Sequence, residues 1–335
     1  MVHAVLEMDA VLFDVERVGK GQQLDGLQNV GDLFGQAGGD VFLDALQDTL
    51  LDLALVLHRA VQRVQRSVDA FQRPLFQKGA AILIGAENAF QARSAAALLF
   101  NASGNEALFH SGIERMLVQG VSGLLIISRC TDPVPYYVDS PVPVVYAYGP
   151  SRDPDDCSVA QDNVESGCLA VRHLLSCGRT RIAIIAGDSE YSVTHERMRG
   201  ALKALHDAGL QLAGEARFGP WEAEWGRAAA RLLLNDGAAF DAVICQNDVL
   251  ARGCIEELER NGCRVPQDVA VIGHDNSPDY VSYAHPLLTS IDDNNEMLGR
   301  QAALCLLDAI AGHPHHGVER VPVKLIQRES TLPLD

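Results

Sequence analysis

Residues 158–186 read SVAQDNVESGCLAVRHLLSCGRTRIAIIA. A short strand-like run at 158–161 gives way to apolar positions at three- and four-residue spacing over 163–177, and then to the β-branched run at 182–186. That alternation is the sequence form of a strand, a crossover helix and a second, parallel strand. Asp162 or Asn163 stands where a side-chain oxygen caps the free amide groups of a first helical turn. Gly178 stands where the chain must turn left-handed to leave the helix, which a residue without a Cβ does at little cost.

The same pattern continues in both directions. Further strands are predicted at 123–128 (GLLIIS), 142–147 (VPVVYA), 242–245 (AVIC) and 269–272 (VAVI). Helices are predicted at 195–208, 222–234 and 249–261, with Gly209 and Gly262 closing the first and last of them. Val265-Pro266 then blocks any helical continuation. Short apolar strands alternating with longer amphipathic helices specify an α/β fold built from doubly wound parallel sheets with helices on both faces. At 335 residues the chain exceeds the usual single-core size, so two lobes are expected.

Composition narrows the function classes. With 47% hydrophobic and 21% charged residues, the chain can bury large cores. A net charge of −17 opposes non-specific binding to a phosphate backbone by the chain as a whole, although a local basic patch is compatible with it. No apolar run approaches the about 20 residues that span a bilayer. The opening stretch, residues 1–9, carries Glu7 and Asp9 where a secretory leader needs bases. A cytoplasmic location and no membrane partner are expected. Eight cysteines lie between Cys130 and Cys305 without a Cys-x-x-Cys pair, and read as reduced, mostly buried thiols. Cys245, Cys254 and Cys263 fall on a strand, a helix and a loop, which do not converge on one metal. His313-Pro314-His315-His316 reads as a solvated loop, so no metal and no cofactor are expected.

The chain changes character near residue 75. Residues 1–58 hold ten acids against two bases, a net of −8. Helical spacing over 41–58, followed by Arg59, Arg63, Arg66 and Arg73, predicts a mainly helical, acidic segment over residues 1–75.

Past residue 97 a series of segments falls in a fixed order. Val121-Ser122-Gly123-Leu124-Leu125-Ile126-Ile127 comes first, then Asp162-Asn163-x-x-x-Gly167 and His173-Leu174-Leu175-x-x-Gly178-x-x-Arg181-Ile182-Ala183. Arg197-x-x-Gly200, Asn247-Asp248 and Arg264-Val265-Pro266-x-Asp268-Val269-Ala270-Val271-x-Gly273-x-Asp275 follow. Pro286-Leu287-Leu288-Thr289-Ser290-Ile291, Leu298-Gly299-x-x-Ala302 and Arg328-Glu329-Ser330 close the series. Together, over about 240 residues, they resemble the effector-binding domain of the lactose-repressor-type (LacI/GalR) transcription regulators. The match weakens upstream: Gly85-Ala86-Glu87-Asn88-Ala89 and Leu98-Leu99-Phe100-Asn101 are similar to that family's first helix and second strand, and Pro74-Leu75-Phe76 to a loop before them. Residues 32–40 have the spacing of its helix-turn-helix headpiece, yet no basic recognition helix follows. A truncated or misread headpiece is the reading favoured for residues 1–75.

The resemblance implies a two-lobed fold of the periplasmic-binding-protein type. The effector-binding domain is placed at 76–335, with lobe 1 at about 76–161 and 292–320 and lobe 2 at about 162–291 and 321–335. It also implies a homodimer, operator DNA as a partner and a small sugar-like effector between the lobes. Ligands in open α/β sheets sit beyond the carboxyl ends of strands. Asp162, Asn247, Asp275, Asp293 and Asn295 fall at such ends, and the family pattern adds Arg197 and Trp221. Carboxylates, amides and one Arg suit hydroxyls that both donate and accept, while an indole suits a sugar's C–H face. Asp162 serves equally as a helix cap. For Asn247-Asp248 the cap reading falls to Asp248 and leaves Asn247 for the ligand. Trp221 is assigned to the ligand and Trp225 to packing. Arg197 on composition alone is a solvated helix residue.

Two rival classes remain. A periplasmic sugar-binding protein shares the fold, but the start of the chain lacks a leader. Asp275, Asp292 and Asp293 read as a glycosidase acid pair would make an enzyme; no nucleophile motif, phosphate loop or metal cluster accompanies them, and a non-enzyme is expected.

Overall fold

The β-branched runs sort into two sheets. The computed structural model describes residues 3–6, 74–102, 104–134, 139–237, 239–282 and 285–332. The first sheet is entirely parallel and contains β1 (His3–Leu6), β2 (Leu99–Asn101), β3 (Leu124–Ile127), β4 (Val144–Ala147), β5 (Cys157–Gln161) and β11 (Gly317–Val321). Its order is β11-β5-β4-β3-β1-β2. The second contains β6 (Ile182–Ala186), β7 (Arg217–Phe218), β8 (Ala242–Cys245), β9 (Ala270–His274), β10 (Thr289–Asp292) and β12 (Lys324–Ile326). Its order is β12-β10-β9-β8-β6-β7, with β12 alone antiparallel to its neighbour. The chain passes between the sheets after Gln161, after Asp292 and after Val321. This is the doubly wound α/β class that the strand–helix alternation predicts.

Period-2 alternation explains why both faces of the second sheet are covered. Ala183, Ile185, Val243, Cys245 and Val271 point to one side, under α5 (Ala223–Asn235) and α6 (Asp248–Arg260). Ile182, Ile184, Ile244 and Ile272 point to the other, under α3 (Asn163–Ser176) and α4 (Ser192–Asp207). Each of these isoleucines is nearly or fully buried, and each contributes roughly 1.5–3 kcal/mol by leaving water. Gly178, Gly209 and Gly262 take the positive φ that closes their helices.

A short α7 (Pro278–Val281) follows β9, and the first lobe carries α1 (Pro74–Ala92), α2 (Glu106–Val118) and, from the far end of the chain, α8 (Asn295–Ile310). Two facing glycines set how closely α1 approaches α8. A Cβ on Gly85 would lie 1.8 Å from the Glu296 carbonyl oxygen, and one on Gly299 would lie 1.8 Å from that of Ile82. The backbones touch there, and this contact fixes what the start of α1 can reach.

Three features differ from the sequence reading. His3–Leu6, expected in the N-terminal segment, forms strand β1 between β2 and β3; a four-residue run among acids carries too weak a signal to separate from its flanks. Pro74-Leu75-Phe76 opens α1 instead of forming a loop. The helix expected from residue 195 begins at Ser192. The predicted helix over 41–58 and the headpiece-like 32–40 lie outside the described residues. Among the described residues, no helix is long and apolar enough to cross a membrane.

Candidate functional site

Where the chain passes between lobes, strands β9 and β10 end side by side and deliver two carboxylates. Asp275 follows β9 and donates its amide to the Ile291 carbonyl at 2.8 Å. Its φ of +98° is a conformation that a residue with a Cβ adopts only under constraint. Asp293 follows β10 and is fully buried.

Arg197, on α4, is only 5% exposed, so it is not a solvated helix residue. Its Nη1 donates to the Gln246 carbonyl at 2.6 Å and its Nε to Asn163 Oδ1 at 3.3 Å. Its Nη2 donates to Asp293 Oδ1 at 3.3 Å and lies 3.8 Å from Asp275 Oδ1. His274 Nε2 donates to the same Asp293 oxygen at 2.8 Å. From the opposite lobe, Lys78 on α1 places Nζ 2.7 Å from Asp275 Oδ1 and 3.4 Å from Asp293 Oδ2. A small cavity behind Arg197 is lined by Ser166, Ala170, Ile184, Ile244, Gln246 and His274.

Electrostatics follow from this enclosure. Burial disfavours the Asp293 carboxylate, yet Lys78, His274 and Arg197 outweigh it and hold the carboxyl well below its ordinary range. Burial likewise opposes the Lys78 ammonium, and the charges of Asp275 and Asp293 overcome it, so the amine is held above its usual value. His274 is pushed down, first by burial and then by Arg197, against the pull of Asp293. Asp248 is pushed well up by burial and by the charge of Asp275.

The remaining predicted residues divide between cleft and scaffold. Asp162 Oδ1 accepts from the Glu165 amide at 2.9 Å and caps α3. Asn247, not Asp248, is the cap of α6: its Oδ1 accepts from the Leu250 amide at 2.7 Å. Asp248 instead turns inward and accepts from the Ser277 amide at 2.7 Å and the Ser290 hydroxyl at 2.6 Å. The physical reason is that the residue just before the first helical turn has the extended backbone a cap needs; Asn247 has it, with φ −151° and ψ 169°. Trp221 stacks where Gly187 leaves room, since a Cβ there would lie 2.1 Å from the indole. Tyr191 meets that ring edge-on, and Trp225 donates to the Ala186 carbonyl at 3.2 Å. Asn295, opening α8, accepts from Gln161 Nε2 at 2.8 Å across the first crossover.

Sequence reasoning missed Lys78, His274, Asn163 and Tyr148. Tyr148 follows β4 with φ +76°, is buried, and feels Lys78, Asp293 and Asp275. His274 and Tyr148 carry the same signal as Asp275, a polar residue ending an apolar strand; Lys78 sits mid-pattern on a helix and carries none. His274, Asp275 and Asp293 bring ligand-type atoms within 4.8 Å of one another, as no other group does among the described residues. Lys78 and Arg197 already sit on those carboxylate oxygens, so charge balances without an ion.

Two lobes hinged at three crossings, with buried polar groups converging between them, define a ligand-binding domain of the periplasmic-binding type. Residues 171–331 match the model of the periplasmic binding protein-like domain. The chain is 34% identical over 236 residues to the HTH-type transcriptional regulator CelR of Thermobifida fusca, covering 68% of this chain and 69% of that one. It is 34% identical over 258 residues to the transcriptional repressor PurR of Erwinia tasmaniensis, covering 75% of each. For PurR of Haemophilus influenzae strain PittEE the match spans 62% of the relative's length. Among solved structures, CelR in complex with cellobiose superposes with a TM-score of 0.61 at 29% identity, covering 78% of this chain and 80% of that one. The lac repressor dimer bound to operator and the anti-inducer ONPF gives 0.62 at 26%, covering 76% and 90%. The chain belongs to the LacI/GalR family of transcription regulators.

Proposed function

We propose that this chain is a ligand-responsive regulator whose cleft takes a small sugar-like effector. One observation carries the reading: Asp275, Asp293 and Arg197 arrive from three separate elements and meet where the lobes join. Carboxylate oxygens accept from sugar hydroxyls and a guanidinium donates to them, so the set recognises a polyhydroxy ligand from both sides. Trp221 supplies an apolar face, Asp162 and Asn295 border the crossings, and Asn247 follows β8. Relatives with solved structures are described with cellobiose and, as a dimer, with operator DNA; a homodimer reading an operator is the corresponding proposal here, in the cytoplasm.

The effector acts only through its different affinities for the open and closed lobes. Binding without turnover is assigned because Asp275 and Asp293 are tied up by cations instead of facing a nucleophile and a leaving group. Calorimetric titration of the full chain with cellobiose, glucose, galactose and glucosamine tests the sensor: saturable binding of at least one is expected, and none from folded protein overturns it. A mobility shift against DNA upstream of its own gene, with and without that sugar, tests the operator step. A specific, sugar-dependent shift supports it, and no shift from a folded dimer removes it.

A further inference from the structure

The acids of the cleft already hold a cation. Lys78 reaches across from the first lobe with a side chain only 16% exposed, 2.7 Å from Asp275 and 3.4 Å from Asp293. Asp293 Oδ2 is buried, makes no hydrogen bond and faces that ammonium. The approach is built into the backbone, because the Gly85 and Gly299 contacts hold α1 against α8, which begins two residues after Asp293. Two acids thus face two bases, Lys78 and Arg197, and the enclosed group is neutral.

That balance restricts what can replace Lys78. A neutral sugar that displaces the ammonium leaves Asp275 and Asp293 against Arg197 alone, a net negative charge in a water-poor cleft. His274 does not compensate, since burial and Arg197 hold it towards the uncharged form. A protonated amine replaces Lys78 charge for charge, with its own N–H groups on the same oxygens. We propose that Lys78 is a tethered occupant of an ammonium-binding subsite, and that the effector of this chain carries a protonated amine, as an amino sugar does. This rests on the sugar-effector reading and names the ligand class within it.

Lys78→Ala in the full chain empties the subsite, and n-propylammonium is the piece removed. The alanine variant should gain several degrees in melting temperature with n-propylammonium chloride, by mass action on the folded state. Wild-type protein should gain nothing, and n-propanol with matched potassium chloride should not substitute. No gain from n-propylammonium in a folded variant overturns the proposal. On wild-type protein near pH 6.5, glucosamine should bind about tenfold or more tighter than glucose or N-acetylglucosamine. Lys78→Met, which removes the competitor, should tighten glucosamine further. If the alanine variant does not fold, the wild-type comparison decides alone. Rescue by n-propylammonium with no sugar bound would keep the ammonium subsite and sink the sugar reading. Glucose equal to glucosamine, with Lys78→Met changing neither, would sink the amine proposal and keep the sugar reading.

Discussion

The two sides of the cleft are built by different means. The second lobe presents His274 and Asp275 at the end of β9, in a sheet whose two faces are both covered by apolar cores. The first lobe presents Lys78 from the side of α1, and its position depends on how closely that helix lies on α8. On the second-lobe side, a polar residue ending an apolar strand must be either partnered or functional, because burying it alone costs too much. On the first-lobe side, a lysine on a helix has no such obligation until a neighbouring backbone brings acids to it. Site chemistry fixed by strand ends is therefore robust to packing, whereas site chemistry delivered by a helix is only as firm as one helix contact.

Asp293→Ala should break this comparison most severely. It removes one partner of Arg197, His274 and Lys78 at once and leaves two buried cations facing Asp275 alone, and breaking a buried pair costs about 3–5 kcal/mol. Urea denaturation measures it, and a loss below about 1 kcal/mol would mean the cluster does not hold the junction. The same residue has a pH signature. Its folded-state pKa is depressed, so its contribution is fully present above the unfolded aspartate value of about 3.9 and is lost as pH falls further towards the folded value. The stability gap between wild type and Asp293→Asn should be widest near neutrality and shrink below about pH 4. A gap that stays constant down to pH 3 contradicts it.

Gly299→Ala should cost about 1–3 kcal/mol by forcing α1 off α8, and should also loosen Lys78 from its acids. Faster hydrogen exchange across residues 78–90, with the second sheet unchanged, would separate the two sides of the cleft as argued. Equal loss of protection in both lobes would not. The smallest effects are expected at the caps. Asp162→Ala and Asn247→Ala should each cost about 1 kcal/mol of stability. A loss of effector binding beyond that stability change would show that either side chain also touches ligand.

Most of the fold was legible because it rests on periodicity. Ile182–Ala186 and Ala242–Cys245 are buried throughout, and buried parallel strands announce themselves as unbroken apolar runs. His3–Leu6 escaped because its partners lie about a hundred residues away and only tertiary pairing identifies it as a strand. Within the site, Asp275 and Asp293 could be read from their strands, and Arg197 only from family likeness. Nothing local marks an arginine as buried when its partners are the Gln246 carbonyl and an acid 96 residues on. That Asn247 and not Asp248 caps α6 depended on one residue's backbone angles, finer than any pattern in composition. Lys78 was invisible for the same reason, its partner lying 197 residues away.

The most direct test of the cleft as the effector site is calorimetric titration of wild type and Asp275→Asn with glucosamine and cellobiose, with melting curves as the control for folding. Saturable binding to wild type is expected, with about 10- to 100-fold weaker binding to the variant, as losing a charged hydrogen-bond acceptor implies, and with both proteins folded. Undiminished binding to Asp275→Asn would place the effector elsewhere and contradict it.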